Sequence, residues 1–327
     1  MKSIQQDNIE DYYIWTNKLT KVYGTGTKKV LAVDGIDFTM RSGVHGFLGP
    51  NGAGKTSTIN MLIGAISITE GNAFLKGKKA GTKKAREFIG FLPQDPAFYE
   101  KLTGLAYLIF LARMNSIPKN IAKQKALNLL KFFDLMEEKD RKIKTYSMGM
   151  KQKIGLAAGL IHNPKLLILD EPTSNLDPLV RKKIIDYVRK ISKDMSIFIS
   201  SHVLSEVEQM CDRVTIINKG KIKLTDTIQN VKKWFSNFTN LYVIDTNSNE
   251  TFLSVIKELK IITNAWIDEK EKKIYVNTND IEQFQKEIPK LIIEKELILK
   301  SFYQPESSLQ DAFLEIINKD EGKRNGS

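Results

Sequence analysis

The sequence predicts two domains, a larger α/β domain with a parallel sheet and a smaller α+β domain after it. The chain has 327 residues, which fits about two domains of ordinary size. Up to about residue 222, apolar runs typical of buried strands alternate with helical patterns, as in a parallel sheet covered by helices. After about Thr225 the order becomes strand, helix, two strands, helix and strand, which is compatible with a ferredoxin-like unit.

The elements of the larger domain follow from local periodicity. Residues 17–40 alternate apolar and polar side chains around a Gly-Thr-Gly turn and predict strands. An apolar strand at Val44–Leu48 leads through a glycine-rich turn into a helix from Lys55 to about Ile63. Further on we expect short strands over 67–92, helices over 102–136, 147–162, 179–192 and 203–210, and strands over 166–169, 196–200 and 213–217.

The smaller domain is predicted in the same way. Its expected elements are strand Leu241–Asp245, helix Thr251–Lys260, strands Ala265–Asp268 and Lys273–Val276, helix Asp280–Leu291, strand Leu297–Tyr303 and a last helix, Ser308–Asn318. Ser308 and Asp311 form a capping pair for that last helix. We therefore predict an N-terminal extension over 1–16, the larger domain over 17–224, the smaller over 225–320 and a polar tail over 321–327.

Charge and cysteine content narrow the function classes. The net charge of +12 divides into 36 basic and 21 acidic side chains before residue 225, and 14 basic and 17 acidic ones after it. A basic chain favours nucleic acid or an anionic membrane surface as a partner. The single cysteine, Cys211, excludes an intrachain disulfide and fits a reducing compartment. The longest apolar stretch, Leu105–Ala112, is far shorter than the roughly 20 residues that span a bilayer, and no signal peptide is expected.

Two further surface features have competing interpretations. The basic cluster between residues 76 and 86 predicts either a patch for nucleic acid or lipid head groups, or a solvated face; it comprises Lys76, Lys78, Lys79, Lys83, Lys84 and Arg86. The apolar stripe on the helix after residue 102 predicts first a core face and second a groove for a partner helix; it comprises Leu105, Leu108, Ile109 and Ala112.

The strongest motif is a phosphate-binding loop between the strand Val44–Leu48 and a helix. It comprises Gly49, Pro50, Asn51, Gly52, Ala53, Gly54, Lys55 and Thr56, and Ser57 follows it. Glycines let backbone amides curl around phosphates, and the N-terminus of the next helix favours their negative charge. Lys55 is then expected to reach the β- and γ-phosphates, and the Thr56 hydroxyl to ligate Mg²⁺. The alternative is a glycine-rich turn that binds nothing.

Two adjacent acids end a second buried strand. Asp170 and Glu171 follow the apolar run that begins at Leu166, which places them at the carboxyl edge of the sheet, where open α/β folds bind ligands. We expect Asp170 to serve Mg²⁺, directly or through water, and Glu171 to act as general base on a water. Taken alone, such acids are more often an ordinary exit from a strand into a turn.

With these motifs, the segment Ser147-Met-Gly149 indicates a family. Over about residues 17–222 the sequence resembles the ATP-binding cassette of ABC transporters, since seven family motifs occur in order: Tyr23, the loop 49–56, Gln94, Ser147–Gly149, Asp170-Glu171, Asp177 and His202. The resemblance implies a P-loop NTPase fold with a mixed sheet core, an antiparallel β subdomain and a helical subdomain. It also implies ATP and Mg²⁺ as ligands.

The resemblance implies roles for single residues. Tyr23 resembles the aromatic residue on which adenine stacks, although it also fits a half-buried strand tyrosine. Gln94 resembles the glutamine that contacts Mg²⁺ and the γ-phosphate, and His202 resembles the histidine that contacts the γ-phosphate. For His45 and His162 we expect only core or surface roles.

Three positions resemble those that act across a pair of cassettes. Ser147 and Gly149 would offer a hydroxyl and a backbone amide to the ATP of a second cassette, and Asp177 would couple the two ATP sites. Tyr146, Met148 and Met150 depart from the commonest Leu-Ser-Gly-Gly-Gln signature, and Asn175 stands where the family often has glycine. Such signatures resemble the branch that exports drugs, antibiotic peptides and lantibiotics, or handles ions and lipids.

The resemblance therefore implies an ATP-hydrolysing subunit of a membrane exporter at the cytoplasmic face of the membrane. Its expected partners are membrane-spanning permease subunits, gripped by the segment between Gln94 and Ser147, and a second copy or a paralogous cassette. No direct nucleic-acid partner is expected. The runner-up is a soluble ABC-type ATPase acting on nucleic acid or ribosomes, and the third hypothesis is a P-loop kinase. The domain after residue 224 is expected to be regulatory, dimer-supporting or a plain packing module.

Overall fold

The computed structural model describes residues 8–236, 241–269 and 271–305, together with Phe313. It divides the chain into two compact units, Met1–Thr227 and Ile228–Ser327. The predicted boundary after residue 224 lies inside a strand of the first unit, Lys221–Thr227. In the described ranges no helix has both the length and the apolar character needed to cross a membrane.

The first unit begins with a four-stranded antiparallel sheet. Its strands, in the spatial order β2-β1-β4-β5, are β1 (Ile14–Tyr23), β2 (Val30–Met40), β4 (Glu70–Leu75) and β5 (Lys78–Lys79). Ile14 and Leu19 of β1 are fully buried in the core below this sheet. The strand begins at Ile14, so the last residues of the predicted extension 1–16 belong to the sheet; a short 3-10 helix, Ile9–Asp11, precedes it.

The central sheet of the first unit has six strands in the order β10-β9-β3-β8-β7-β6. They are β3 (Val44–Leu48), β6 (Ile89–Leu92), β7 (Leu166–Asp170), β8 (Ser196–Ser201), β9 (Arg213–Asn218) and β10 (Lys221–Thr227). All neighbours are parallel except β10, which pairs with β9 in the antiparallel sense. Strands β3, β7 and β8 are buried along their whole length, as expected when helices cover both faces.

Seven α-helices complete the described part of the first unit. They are α1 (Lys55–Ile63), α2 (Lys83–Phe88), α3 (Gly104–Met114), α4 (Lys119–Phe132), α5 (Met148–Leu160), α6 (Pro178–Ile191) and α7 (Leu204–Met210). Two 3-10 turns, Gly26–Lys28 and Ile143–Thr145, lie between elements. The apolar stripe of α3 faces a core shared with α4 and α5, because Leu108 and Ala112 are fully buried there. The core interpretation of that stripe is therefore correct for these two residues.

The second unit has the ferredoxin-like order that the sequence indicates. Its elements are α8 (Ile228–Ser236), β11 (Leu241–Thr246), α9 (Asn249–Ile256), β12 (Ile262–Ile267), β13 (Ile274–Thr278), α10 (Ile281–Glu294) and β14 (Leu299–Tyr303). The four strands form an antiparallel sheet in the order β12-β13-β11-β14. Phe252 and Phe284, on α9 and α10, are fully buried against it. The predicted helix Ser308–Asn318 and the tail 321–327 lie outside the described residues, apart from helical Phe313.

Candidate nucleotide site

The loop between β3 and α1 has a backbone that only glycine permits at several positions. Gly52 and Gly54 adopt φ angles of 79° and 106°, in the left-handed region that disfavours other residues. A Cβ atom on Gly49 would lie 2.4 Å from the Ile217 carbonyl oxygen of β9. The loop is therefore a glycine-dependent cradle that opens onto the first turn of α1.

The Lys55 side chain is buried at this cradle, with 6% of its surface exposed. Its ammonium donates to the carbonyl oxygens of Gly49 at 2.7 Å and Pro50 at 3.3 Å. It also lies 3.2 Å from Glu171 Oε1, at the end of β7. A buried ammonium needs such partners, because an unpaired charge inside a protein is strongly destabilising.

Asp170 is buried at the end of β7 and accepts a hydrogen bond from the Ser200 hydroxyl of β8. Burial raises the pKa of Asp170, and hydrogen bonds from Ser200 and Thr56 act in the opposite direction. The contact with Thr56 joins the end of β7 to the phosphate-binding loop. Sheet topology thus brings together a carboxylate and a hydroxyl that are 114 positions apart in sequence.

Glu171 connects the two sides of the site. Its backbone adopts φ 49°, and its amide is fixed by the Ser200 hydroxyl at 3.1 Å. One carboxylate oxygen contacts Lys55, and the other lies 2.8 Å from Nδ1 of His202. His202 follows β8 and is 45% exposed, so its ring lies at the rim. The row Lys55–Glu171–His202 therefore runs from the buried cradle to the surface.

A cavity of about 490 Å³ lies over the cradle. Its lining residues are Val30, Leu31, Ala32, Asn51, Gly52, Gly54, Lys55, Thr56, Ser57, Gln94 and Glu171. Val30, Leu31 and Ala32, at the start of β2, are lining residues that the sequence did not predict. Val30 and Leu31 are 61% and 49% exposed, which is unusual for apolar strand residues and is the signal that could have marked them. The cavity combines an apolar wall with a floor that carries the Lys55–Glu171 ion pair.

Tyr23 lies beside the cavity and is not among its lining residues. Its ring is 39% exposed, its hydroxyl is 3.2 Å from Ser57 Oγ, and the Lys21 ammonium lies 5.1 Å from the ring centroid. A ring exposed to this extent fits both a surface on which adenine stacks and the half-buried strand tyrosine of the alternative interpretation. Ser57 thus joins this tyrosine to the first turn of α1.

Ser147, Gly149 and Asp177 lie at two helix N-termini and do not line this cavity. The Ser147 hydroxyl caps α5 by accepting from the Met150 amide at 3.3 Å. Asp177 caps α6 through the amides that follow it, at 3.1 and 3.0 Å. A Cβ atom on Gly149 would lie 2.7 Å from Val180 Cγ1, so the starts of α5 and α6 are neighbours. The structure separates these three residues from the row around Lys55.

A polar cluster behind Glu171 was not found from the sequence. Thr173 and Glu206 are buried, and the Thr173 hydroxyl donates to Glu206 Oε2. Glu206 Oε1 lies 3.2 Å from Arg181 Nε of α6. Burial raises the pKa of Glu206, and Thr173 and Arg181 counteract this rise. The signal in the sequence that could have found this cluster was a carboxylate among the apolar residues on the buried face of α7.

The other two histidines have local structural partners. His45 Nε2 lies 2.8 Å from Thr215 Oγ1, and burial lowers the pKa of His45 to about 3. His162 contacts the Ile89 carbonyl at 2.9 Å, and burial lowers its pKa as well. These contacts agree with the core and surface roles expected for both.

The oxygen-rich end of β7 fits a hard divalent cation better than a transition metal. Asp170 and Thr56 are in contact, and the Gln94 side chain lines the same cavity. Carboxylate, hydroxyl and amide oxygens are the ligands that Mg²⁺ prefers. In the described parts of the chain, no group of three or more His, Cys, Asp or Glu is arranged for a metal.

The fold and this site define a class, the P-loop ATPases, and comparison with known proteins identifies the family. The family model "ABC transporter" matches residues 33–174. The linearmycin resistance ATP-binding protein LnrL of Bacillus subtilis is 33% identical over 305 residues, covering 92% of this chain and 97% of that protein. The bacitracin transport ATP-binding protein BcrA of Bacillus licheniformis is 33% identical over 312 residues, covering 93% and 97%. The chain belongs to the ATP-binding proteins of ABC transporters.

A solved structure agrees with this assignment. CbiO1 from Clostridium perfringens, part of the ABC transporter complex cbiONQ, superposes with a TM-score of 0.61 at 27% identity, covering 70% of this chain and 94% of that one. The predicted fold class is confirmed, and the protein is an ATP-binding, ATP-hydrolysing subunit that works in transport. These relatives give no support to the hypothesis of a nucleic-acid or ribosome ATPase.

Proposed function

We propose that the protein energises a membrane exporter of antibiotic-type molecules, by pairing of two cassettes around ATP. Two relatives that align with nearly the whole chain are named for linearmycin resistance and bacitracin transport. Membrane-spanning permease chains would carry the substrate, and this subunit would sit against them at the cytoplasmic face. The single observation that carries the proposal is the row Lys55–Glu171–His202, of which Lys55 and Glu171 line the cavity and His202 lies at the rim.

The cavity would hold ATP with its phosphates on the cradle and its base towards β1 and β2. In the complex with ATP, the Lys55 ammonium would contact phosphate oxygens in place of its present carbonyl and carboxylate partners. Phosphate oxygens are negatively charged hydrogen-bond acceptors and can therefore replace them. The amides of loop 49–56 and the start of α1 stabilise the remaining negative charge. Tyr23 and the apolar residues Val30 and Leu31 offer surfaces for the adenine ring.

Glu171 is the general base in this proposal. Its carboxylate takes a proton from the water whose oxygen attacks the γ-phosphorus, and His202 holds the carboxylate through Oε2. The bond between the γ-phosphorus and the oxygen that bridges it to the β-phosphorus breaks, so ADP leaves and inorganic phosphate is formed. The positive φ and the Ser200 contacts fix the position from which the base acts. Mg²⁺, held by Asp170, Thr56 and Gln94, would neutralise negative charge on the phosphates.

The residues outside the cavity would act on a second cassette. Ser147 and Gly149 lie at the start of α5, where a hydroxyl and a backbone amide favour an anion. Asp177, at the start of the neighbouring α6, would transmit the state of one site to the other. ATP can drive such pairing only because it binds the paired form more tightly than the separate one.

The proposal is tested by Glu171→Gln in the full chain. This variant keeps the shape of the side chain and removes the base, so we expect ATP binding and a stable ATP-dependent dimer. Hydrolysis should fall at least a hundredfold, the usual range for a lost general base being about 10²–10⁴. The control is Glu87→Gln, an exposed acid on α2 paired only with Lys83 among the described ion pairs.

Three measurements separate the possible outcomes. Size-exclusion chromatography with and without ATP reports the dimer, phosphate release reports hydrolysis, and a fluorescent-nucleotide titration reports ATP binding. Wild-type turnover by Glu171→Gln would refute the assignment of the base. Loss of ATP binding in the same variant would show that Glu171 serves the cradle and not the water.

A further inference from the structure

Behind the ATP site lies a buried carboxylate that the chemistry above does not use. Glu206 is on α7, only 2% exposed, and four positions after His202. Buried carboxylates are uncommon, because removing their charge from water is strongly unfavourable unless partners compensate for it. The residues that contact Glu206 therefore indicate what this carboxylate does.

One Glu206 oxygen contacts the segment that follows β7, and the other contacts α6, the helix after that segment. Oε2 accepts from the Thr173 hydroxyl, two positions after Glu171. Oε1 lies 3.2 Å from Arg181 Nε. Among the described residues, neither Glu206 Oε1 nor Arg181 Nε has a hydrogen-bond partner, so this ion pair is the contact that neutralises them.

Arg181 extends the connection to the other end of the same segment. Its Nη2 donates to the Leu176 carbonyl at 3.3 Å, next to Asp177. The segment 171–177 is thus held near its start through Thr173 and near its end through Arg181, and both contacts depend on Glu206. The segment needs such support, because Glu171 and Asn175 adopt positive φ angles of 49° and 59°.

The helix that carries Glu206 also begins next to His202. His202 contacts Glu171 directly, at 2.8 Å, and Glu206 contacts the residues beyond Glu171. Glu206 on α7 therefore contacts the segment beyond Glu171, and His202, two positions before α7 begins, contacts Glu171 itself.

We propose that Glu206 is a positioning residue for ATP hydrolysis, which holds the segment 171–177 in place through Thr173 and Arg181. The inference rests on the proposed role of Glu171 as base. Glu206 lies behind the row and does not line the cavity, so its effect falls on the rate of hydrolysis and not on ATP binding.

The test compares Glu206→Gln, Arg181→Gln and the double variant in the full-length chain. Glu206→Gln keeps an oxygen for Thr173 and removes the charge that pairs with Arg181. A displaced catalytic group costs up to about a hundredfold in rate, so we expect kcat to fall about tenfold and KM to stay within about twofold. The control is Ser205→Ala, on the exposed side of the same helix, which should keep wild-type kcat and KM.

The double variant distinguishes positioning from general loss of stability. If Glu206 acts through Arg181, the double variant should lose no more kcat than Glu206→Gln alone, because both changes remove one interaction. Rates are normalised to bound nucleotide, so unfolded protein does not count. The inference would be overturned if the loss of kcat in the double variant equalled the product of the losses in the two single variants. A raised KM or an unchanged kcat in Glu206→Gln would also overturn it.

Glu171→Gln is measured in parallel to keep the two proposals apart. If Glu171→Gln hydrolyses ATP at the wild-type rate, the base assignment fails and the positioning role fails with it. If Glu171→Gln is inactive while Glu206→Gln is fully active, only the positioning role of Glu206 is refuted.

Discussion

The buried His45 predicts that acid destabilises the first unit. Its imidazole lies on β3 between Phe38 and Phe198, with ring centroids 5.1 and 6.3 Å away, and contacts Thr215. Burial, with a smaller effect of the Arg213 charge, lowers its pKa from 6.5 to about 3. The folded protein therefore keeps His45 neutral at pH values where the unfolded chain protonates it.

The size of the effect follows from the two pKa values. Because the folded pKa is lowered, the stabilisation is fully present above pH 6.5 and is lost as the pH falls towards 3. At pH 5 the unfolded chain is about 1.5 pH units below its own pKa, while the folded histidine is still neutral. At about 1.36 kcal/mol per pH unit, His45 alone should lower the free energy of unfolding by about 2 kcal/mol between pH 7.5 and 5.

The assay is unfolding in urea, followed by hydrogen exchange in peptides from β3. These peptides belong to the first unit and therefore report its unfolding alone. Glutamine at position 45 cannot take up the proton. Between pH 7.5 and 5 the free energy of unfolding of His45→Gln should therefore fall by about 2 kcal/mol less than that of the wild type. His162→Gln is the control, since it leaves His45 in place and should retain that component. An equally steep fall in His45→Gln and the wild type would refute the reasoning.

Two further predictions concern ATP binding and packing. Tyr23→Ala should weaken ATP binding about tenfold or more, since stacking of a base on an aromatic ring is worth about 1–3 kcal/mol, whereas Tyr23→Phe should bind nearly normally in a fluorescent-nucleotide titration. Equal affinities of the two variants would exclude stacking on this ring. Gly90→Ala should lower the free energy of unfolding by about 1–3 kcal/mol in urea titrations, because the new Cβ would lie 2.1 Å from the Gly159 carbonyl oxygen. Gly155→Ala, whose Cβ would meet the flexible Leu92 side chain at 2.6 Å, should cost less, and the reverse order would contradict the packing argument.

Strong local signals made much of the first unit predictable. The strand Val44–Leu48 and the helix from Lys55 to Ile63 occur with the predicted bounds, because a continuous apolar run and a glycine turn leave few alternatives. Three elements of regular structure were missed: α2 (Lys83–Phe88), in a region where short strands and turns were expected, β10 (Lys221–Thr227) and α8 (Ile228–Ser236). β10 is an edge strand with mostly half-buried residues, so it lacks the apolar run that marks the central strands.

The candidate site was predictable where one short segment carries the chemistry. The phosphate-binding loop and the acids after β7 are such segments, and the structure brings Lys55 and Glu171 into contact. The cluster of Thr173, Arg181 and Glu206 was not predictable, because its members lie on three elements and meet only through tertiary packing.

The contact between Lys55 and Glu171 would make the proposed base respond to the binding of ATP. The ammonium lies 3.2 Å from Glu171 Oε1, so the carboxylate charge that would draw a proton from water is compensated inside the protein. Phosphate oxygens would compete for the same ammonium, so ATP binding would release the carboxylate once the γ-phosphate is in place for attack by water. A base held in this way would be occupied between turnovers.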